Sequence, residues 1–193
     1  MKETHNNIIQ HNNSSTKRMV MFGAIGGFIA GLVMAPFLMF TALLVGMPAN
    51  TMPTAIGLAF GADINSAMMT GFGLHILTGI IIGAIFGIVV ANVSKLRISG
   101  FAKGVSEGLI TGMIAFVVLF IPVSMVLMPP VLIELVMQMN PTMNQQEIMN
   151  MLQQNMPTMI GMGVLEHLVY GAVLGTITTA LILKVNPKGE GQS

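Results

Sequence analysis

The chain has 193 residues, 53% of them hydrophobic and only 8% charged, with a net charge of +1 and no cysteine. A mean hydropathy of +0.80 is far above that of a soluble domain of this length, and it points to a polytopic membrane protein. No concentrated Lys/Arg surface is available for nucleic acid, and the missing cysteines remove disulfides, thiolate metal sites and cysteine nucleophiles.

Residues 1–18 are polar and rich in Asn and Ser, too poor in apolar surface to fold alone, and are expected to be a disordered tail. His5 and His11 there lack metal-ligand spacing and read as solvated. The first apolar run extends from Met19 to about Gly46. It is too long for a signal peptide and its lead-in carries Glu3 and many amides, so it should be a retained membrane helix. Met52–Phe60 reads as a short helix in the loop that follows. The second span covers about Ala67 to Asn92, the third about Gly104 to Met128, and the fourth about Thr158 to Lys184. At ~1.5 Å per residue, each is long enough for the ~30 Å hydrocarbon core.

Pro36 and Pro122 lie late in the first and third helices, where the missing N–H should kink both. Pro129 and Pro130 read as a hard stop, followed by Val131–Met139 as a short apolar helix. Met143–Gln154 then reads as an amphipathic helix capped by Asn140 and Pro141, with Ile148, Met151 and Leu152 on the bundle.

Two stretches share one pattern. Gly71, His75, Gly79, Gly83 and Gly87 match Gly163, His167, Gly171, Gly175 and Thr179, while Gly23, Gly27 and Gly31 match Gly104, Gly108 and Gly112. Small residues at every fourth position make close-packing stripes on membrane helices, so the expected fold is all-α: four transmembrane helices as two parallel helical-hairpin repeats. Repeat one is 19–94 and repeat two 101–184, within a membrane domain of 19–184 and before a tail of 185–193. All eight Lys and Arg residues lie in the two tails or in the loop after the second span (Lys95, Arg97, Lys103), which predicts cytoplasmic termini in a cell membrane.

His75 and His167 should sit at similar depth and face each other as a buried polar centre. Each imidazole can bridge helices by hydrogen bonding to a carbonyl, to Thr78 or to the other histidine. The pair can instead ligate haem b or, with methionine sulfur, copper, or mark a proton or solute pathway. Glu166 is costly at this depth and should be protonated, turned to a polar cavity or paired. Tyr170, four residues on, is one candidate partner, and the outer interface or the outer loop helices are the alternative. Glu107 belongs to the cytoplasmic rim beside Lys103, about 15 Å below the histidine level. Ten of the 20 methionines fall between Met125 and Met162. Met137, Met139, Met143, Met149 and Met151 have spacings that resemble a thioether cluster for Cu(I), although plain packing is the simpler reading. No phosphate loop, metalloprotease histidine pair or serine elbow occurs, so the chain reads as non-enzymatic by default.

The segments LEHLVYGAVLGTI (165–177) and LHILTGIIIGAIFG (74–87) resemble uncharacterised prokaryotic four-helix inner-membrane proteins of the YagU-like type. The resemblance implies a fold and a membrane location and supplies no activity and no catalytic residue. Three functions follow as expectations: an accessory subunit of a membrane complex, a haem- or copper-binding redox module, or a small-solute or proton pathway. The expected partners are the lipid bilayer and either further copies of the chain or a membrane-complex partner.

Overall fold

The computed structural model describes residues 2–185, all helical or turn with no strand among them. Six α-helices follow in order: α1 (Lys2–Leu44), α2 (Thr51–Ala59), α3 (Ala67–Asn92), α4 (Phe101–Ala115), α5 (Met128–Met139) and α6 (Gln145–Val185). Two π-helical segments, Phe116–Phe120 and Val123–Leu127, join α4 to α5, and a single 3-10 turn, Ser94–Leu96, follows α3. Four stretches are long and apolar enough to cross a membrane: Thr16–Leu44, Ile64–Asn92, Phe101–Met139 and Gln145–Val185. Helices satisfy every interior N–H and C=O within the segment, as hydrocarbon surroundings demand.

Several boundaries differ from the sequence reading. The helix α1 starts at Lys2, so the residues expected as a disordered tail continue its first turns, and it runs on through Pro36. Pro129 and Pro130 do not stop the third span. They occupy the first turn of α5, where a missing N–H costs least, and helix continues from Phe101 to Met139. The amphipathic segment and the fourth span are one 41-residue helix passing through Pro157. Its cap is Asn144, not Asn140 or Pro141. The Asn144 side chain accepts from the Glu147 N–H at 3.0 Å, and the Glu147 carboxylate accepts from the Asn144 N–H at 2.8 Å, a reciprocal capping box. Residues 186–193 of the expected tail lie outside the described residues.

Helix α1 packs between α3 and α6, α4 packs on α6, and α2 covers the N-terminal end of α3, at the far end of the bundle from the Lys95–Arg97 loop. The helices touch through glycine. A methyl on Gly23 would strike Gly83 O, and one on Gly27 would strike Gly79 O. On the other side of the bundle, Gly104 and Gly108 face Gly175 and Gly171, and Gly112 faces His167 O. Gly87 lies against Met19 O, Gly71 against Pro53 O of α2, and Gly163 against the Phe120 ring. Gly31 is the loosest of these, with Ile76 beside it. Without a hydrophobic drive between helices in lipid, this backbone approach is what provides van der Waals contact.

Two apolar cores result. The outer one joins Ala42, Met47, Met52, Leu132, Val136, Ile148 and Leu152 from the outer ends of α1, α2, α5 and α6, with Met143 and Met151 against it. The inner one joins Phe22, Met34, Phe86, Tyr170 and Leu174. Met137, Met139 and Met149 point outward instead.

Candidate functional site

Helices α3 and α4 hardly meet, although their neighbours α1 and α6 are packed along their length. The gap between α3 and the π-helical stretch is a partly open cavity of about 300 Å³, between the two cores. That volume is at the lower end of the range for small-molecule sites.

The wall from the third span is built by a local irregularity. Pro122 has no N–H to give, and the Ser124 hydroxyl donates back to Phe120 O at 2.6 Å, so the α-ladder gives way to wider i→i+5 turns on both sides of Pro122. Those turns present Ala115, Leu119, Phe120, Val123, Ser124 and Met128 to the cavity. Phe116 and Phe120 stack with ring centres 5.1 Å apart, and both meet His167 edge to face, at 5.6 and 5.4 Å.

All five residues of the expected polar centre, His75, Thr78, Glu166, His167 and Tyr170, line this cavity. Their partners differ in part from those expected, a backbone carbonyl serving each histidine. The His167 Nδ1–H donates to Gly163 O at 2.8 Å, one turn back on α6. The His75 ring faces the Gly31 carbonyl of α1, its Nε2 is enclosed and has no partner, and neither histidine bonds Thr78 or the other ring. Tyr170 does not serve Glu166. Its hydroxyl donates to Gly79 O at 2.7 Å, fastening α6 to α3 where the glycines bring the backbone close. Glu166, only 3% exposed, meets the Thr41 hydroxyl of α1 at 2.6 Å. Thr41 also lies 3.0 Å from Phe37 O. Glu166 thus turns inward to α1, away from the outer interface and the loop helices.

Thr41 and Ser124 were missed from sequence. A threonine or serine in an apolar helix usually bonds its own helix four residues back, as both do here, so type and spacing alone give no sign of a site. Glu107 is apart from the cavity, paired with Lys103 in the second turn of α4. Among the described residues, no group of three or more His, Asp or Glu is arranged to hold a metal ion. Two imidazoles and methionine sulfurs, Met34, Met52, Met128 and Met159, are the soft donors that line the cavity.

Four apolar spans around this cavity define a multi-pass membrane protein. No protein family, curated protein or solved structure matches the chain.

Proposed function

We propose that this membrane protein holds a small, largely apolar molecule in the cavity between α3 and the π-helical stretch, and that it is not an enzyme. One observation carries the reading: His75 Nε2 is enclosed and unpartnered beside a cavity that also gathers Glu166 and His167. A void left by imperfect packing has apolar walls, whereas a few convergent polar groups in an apolar lining are the mark of a ligand site. The open seam between α3 and α4 supports entry from the bilayer, and the matching glycine contacts of α1 with α3 and of α4 with α6 support an origin by duplication. The cytoplasmic termini inferred from charge, and association of the chain with itself or a membrane partner, belong to the same proposal.

A lipophilic phenyl-diazirine tests it. Photolabelling of protein in nanodiscs should concentrate on 74–78 and 119–124, and Ala115→Phe, which fills the cavity, should abolish that labelling. Labels spread evenly over lipid-facing residues such as Val118 and Val126 would overturn the reading.

A second reading is supported by both histidines lining one cavity: ligation of haem b or copper by His75 and His167. Haem would give a Soret band lost in His75→Ala and in His167→Ala, and copper would appear by metal analysis without that band. Colourless, metal-free protein after growth with both supplied, still folded when both histidines become Gln, would dispose of ligation.

A further inference from the structure

We infer that the cavity selects a molecule that donates a hydrogen bond from a neutral hydroxyl on an apolar ring, a phenol or hydroquinone, because the one lining nitrogen whose protonation the structure fixes, His167 Nε2, is an acceptor beside two stacked phenyl rings. This rests on the cavity being a ligand site, as proposed above.

The assignment follows from hydrogen counting. Gly163 O can only accept, so the His167 Nδ1 2.8 Å away carries the ring hydrogen. In the neutral imidazole, Nε2 is then a bare lone pair. At Glu166, the oxygen facing Thr41 is engaged, at 2.6 Å. Thr41 has one hydroxyl hydrogen and two oxygens in reach, Phe37 O and Glu166 Oε1. With the carboxyl proton on Oε1, Glu166 donates to Thr41 and Thr41 donates to Phe37 O, so every contact is used. With an ionised carboxylate, Thr41 donates to Glu166 instead. In both cases Glu166 Oε2 is left as an acceptor, whereas with the carboxyl proton on Oε2 that oxygen donates and Thr41 donates to Oε1, so Glu166 can serve either kind of ligand oxygen. No Lys or Arg among the described residues lines the cavity, so no cation competes for these oxygens.

His75 Nε2, enclosed and unpartnered, takes either role according to its tautomer. The Tyr170 hydroxyl is already committed to Gly79 O and the Ser124 hydroxyl to Phe120 O, while the Thr78 hydroxyl in the same lining can donate or accept. A ligand whose oxygens only accept, such as a quinone or an ether, would leave His167 Nε2 desolvated and unpaired whatever Glu166 and Thr78 do, and that mismatch is the stronger discriminator in a buried site. Phe116 and Phe120, stacked beside His167, suit an aromatic body.

The experiment uses five probes of similar size, competed against the phenyl-diazirine in nanodiscs with the full-length protein: 4-propylphenol, its methyl ether 4-propylanisole, 2-propyl-1,4-hydroquinone, the matching quinone and phenethylammonium. The phenol should protect at least about tenfold better than the ether, and the hydroquinone better than the quinone by a similar factor. In His167→Phe the phenol should lose most of its advantage. Glu166→Gln keeps an amide oxygen and a donor for Thr41, so it should retain the preference and serve as the folded comparison. Equal protection by the phenol and the ether, or tighter binding of the quinone, would overturn the inference and leave the cavity as a site. Tighter binding of phenethylammonium than of the phenol would overturn it in favour of a cationic ligand. Failure of every probe to protect would overturn both this inference and the proposed function.

Discussion

Adding one methyl group at two glycines should move stability in opposite directions. Replacing a helix-interior glycine by alanine gains about 0.5–1 kcal/mol from reduced backbone freedom in the unfolded chain. At Gly161 nothing lies within 4 Å of the added carbon, so Gly161→Ala should realise that gain. At Gly83 the same carbon would collide with Gly23 O and lie 2.8 Å from Gly27 Cα and 2.9 Å from Gly27 N, all backbone atoms of α1. Carbon atoms rest about 3.5–4.0 Å apart, so α1 and α3 would have to separate by roughly 1 Å. A gap of about 0.5–1 Å already forfeits a quarter to a half of the dispersion attraction at each contact. Overpacking costs typically about 1–3 kcal/mol, and lipid supplies no hydrophobic term to press the helices back. Gly83→Ala should therefore lose about 1–2 kcal/mol net, and Gly108→Ala, which faces Gly171 O, should behave alike. Unfolding from mild detergent into SDS, followed by far-ultraviolet circular dichroism, reads both signs. A Gly83→Ala protein as stable as Gly161→Ala would refute backbone packing as the basis of the bundle.

Thr41→Val should cost about 1–3 kcal/mol in the same assay by leaving a buried Glu166 oxygen unpaired, and adding Glu166→Leu should restore most of it; no cost for the single change would mean the bond is not made. For topology, cysteines placed at Asn65 and Gln145 should react with an impermeant thiol reagent from outside while those at Ser99 and Gln192 stay protected, and labelling at Ser99 would reverse the inferred orientation. The Ser66 hydroxyl and the Asn65 N–H hold the Asp63 carboxyl below its ordinary 3.8, so the contribution of that turn is full above this value and fades only as pH falls through the lower folded one. Protection of the Asn65 and Ser66 amides, taken relative to the intrinsic exchange rate at each pH, should stay flat down to about pH 4 and fall below it, and Asp63→Asn should abolish the dependence; a fall beginning near neutrality would contradict the assignment.

The four spans were legible because long apolar runs have few alternatives, and α2 and the buried Ile148 and Leu152 followed from periodicity. His75, Glu166, His167 and Tyr170, singled out by their polarity in apolar helices, all line one cavity. Their bonding was not legible. Glu166 meets a threonine 125 positions away and Tyr170 a carbonyl 91 positions away, and no local pattern encodes such distances. The Asn144 cap could have been found from its glutamate three residues later, a signal overshadowed by the proline at 141. Pro129 and Pro130 misled for one common reason. Proline ends a helix when the lost hydrogen bond is exposed to competition from water, and apolar surroundings offer the backbone nothing better than to continue.

The widened turns beside Pro122 also set which way everything beyond them faces. Ala115 and Met128 line the same cavity, yet thirteen residues at about 100° each in an unbroken α-helix would point them roughly 220° from one another. The surplus length absorbed by the two π-helical segments makes that wall continuous and sets the azimuth at which Leu132, Leu135 and Val136 reach the outer core. The segment therefore behaves as a phase shifter between membrane span and outer cap. Shortening it by one residue would leave its composition and hydropathy nearly unchanged, but it would swing α5 by about 100°, carrying its apolar face off Met52 and Ile148 and taking one side of the cavity with it.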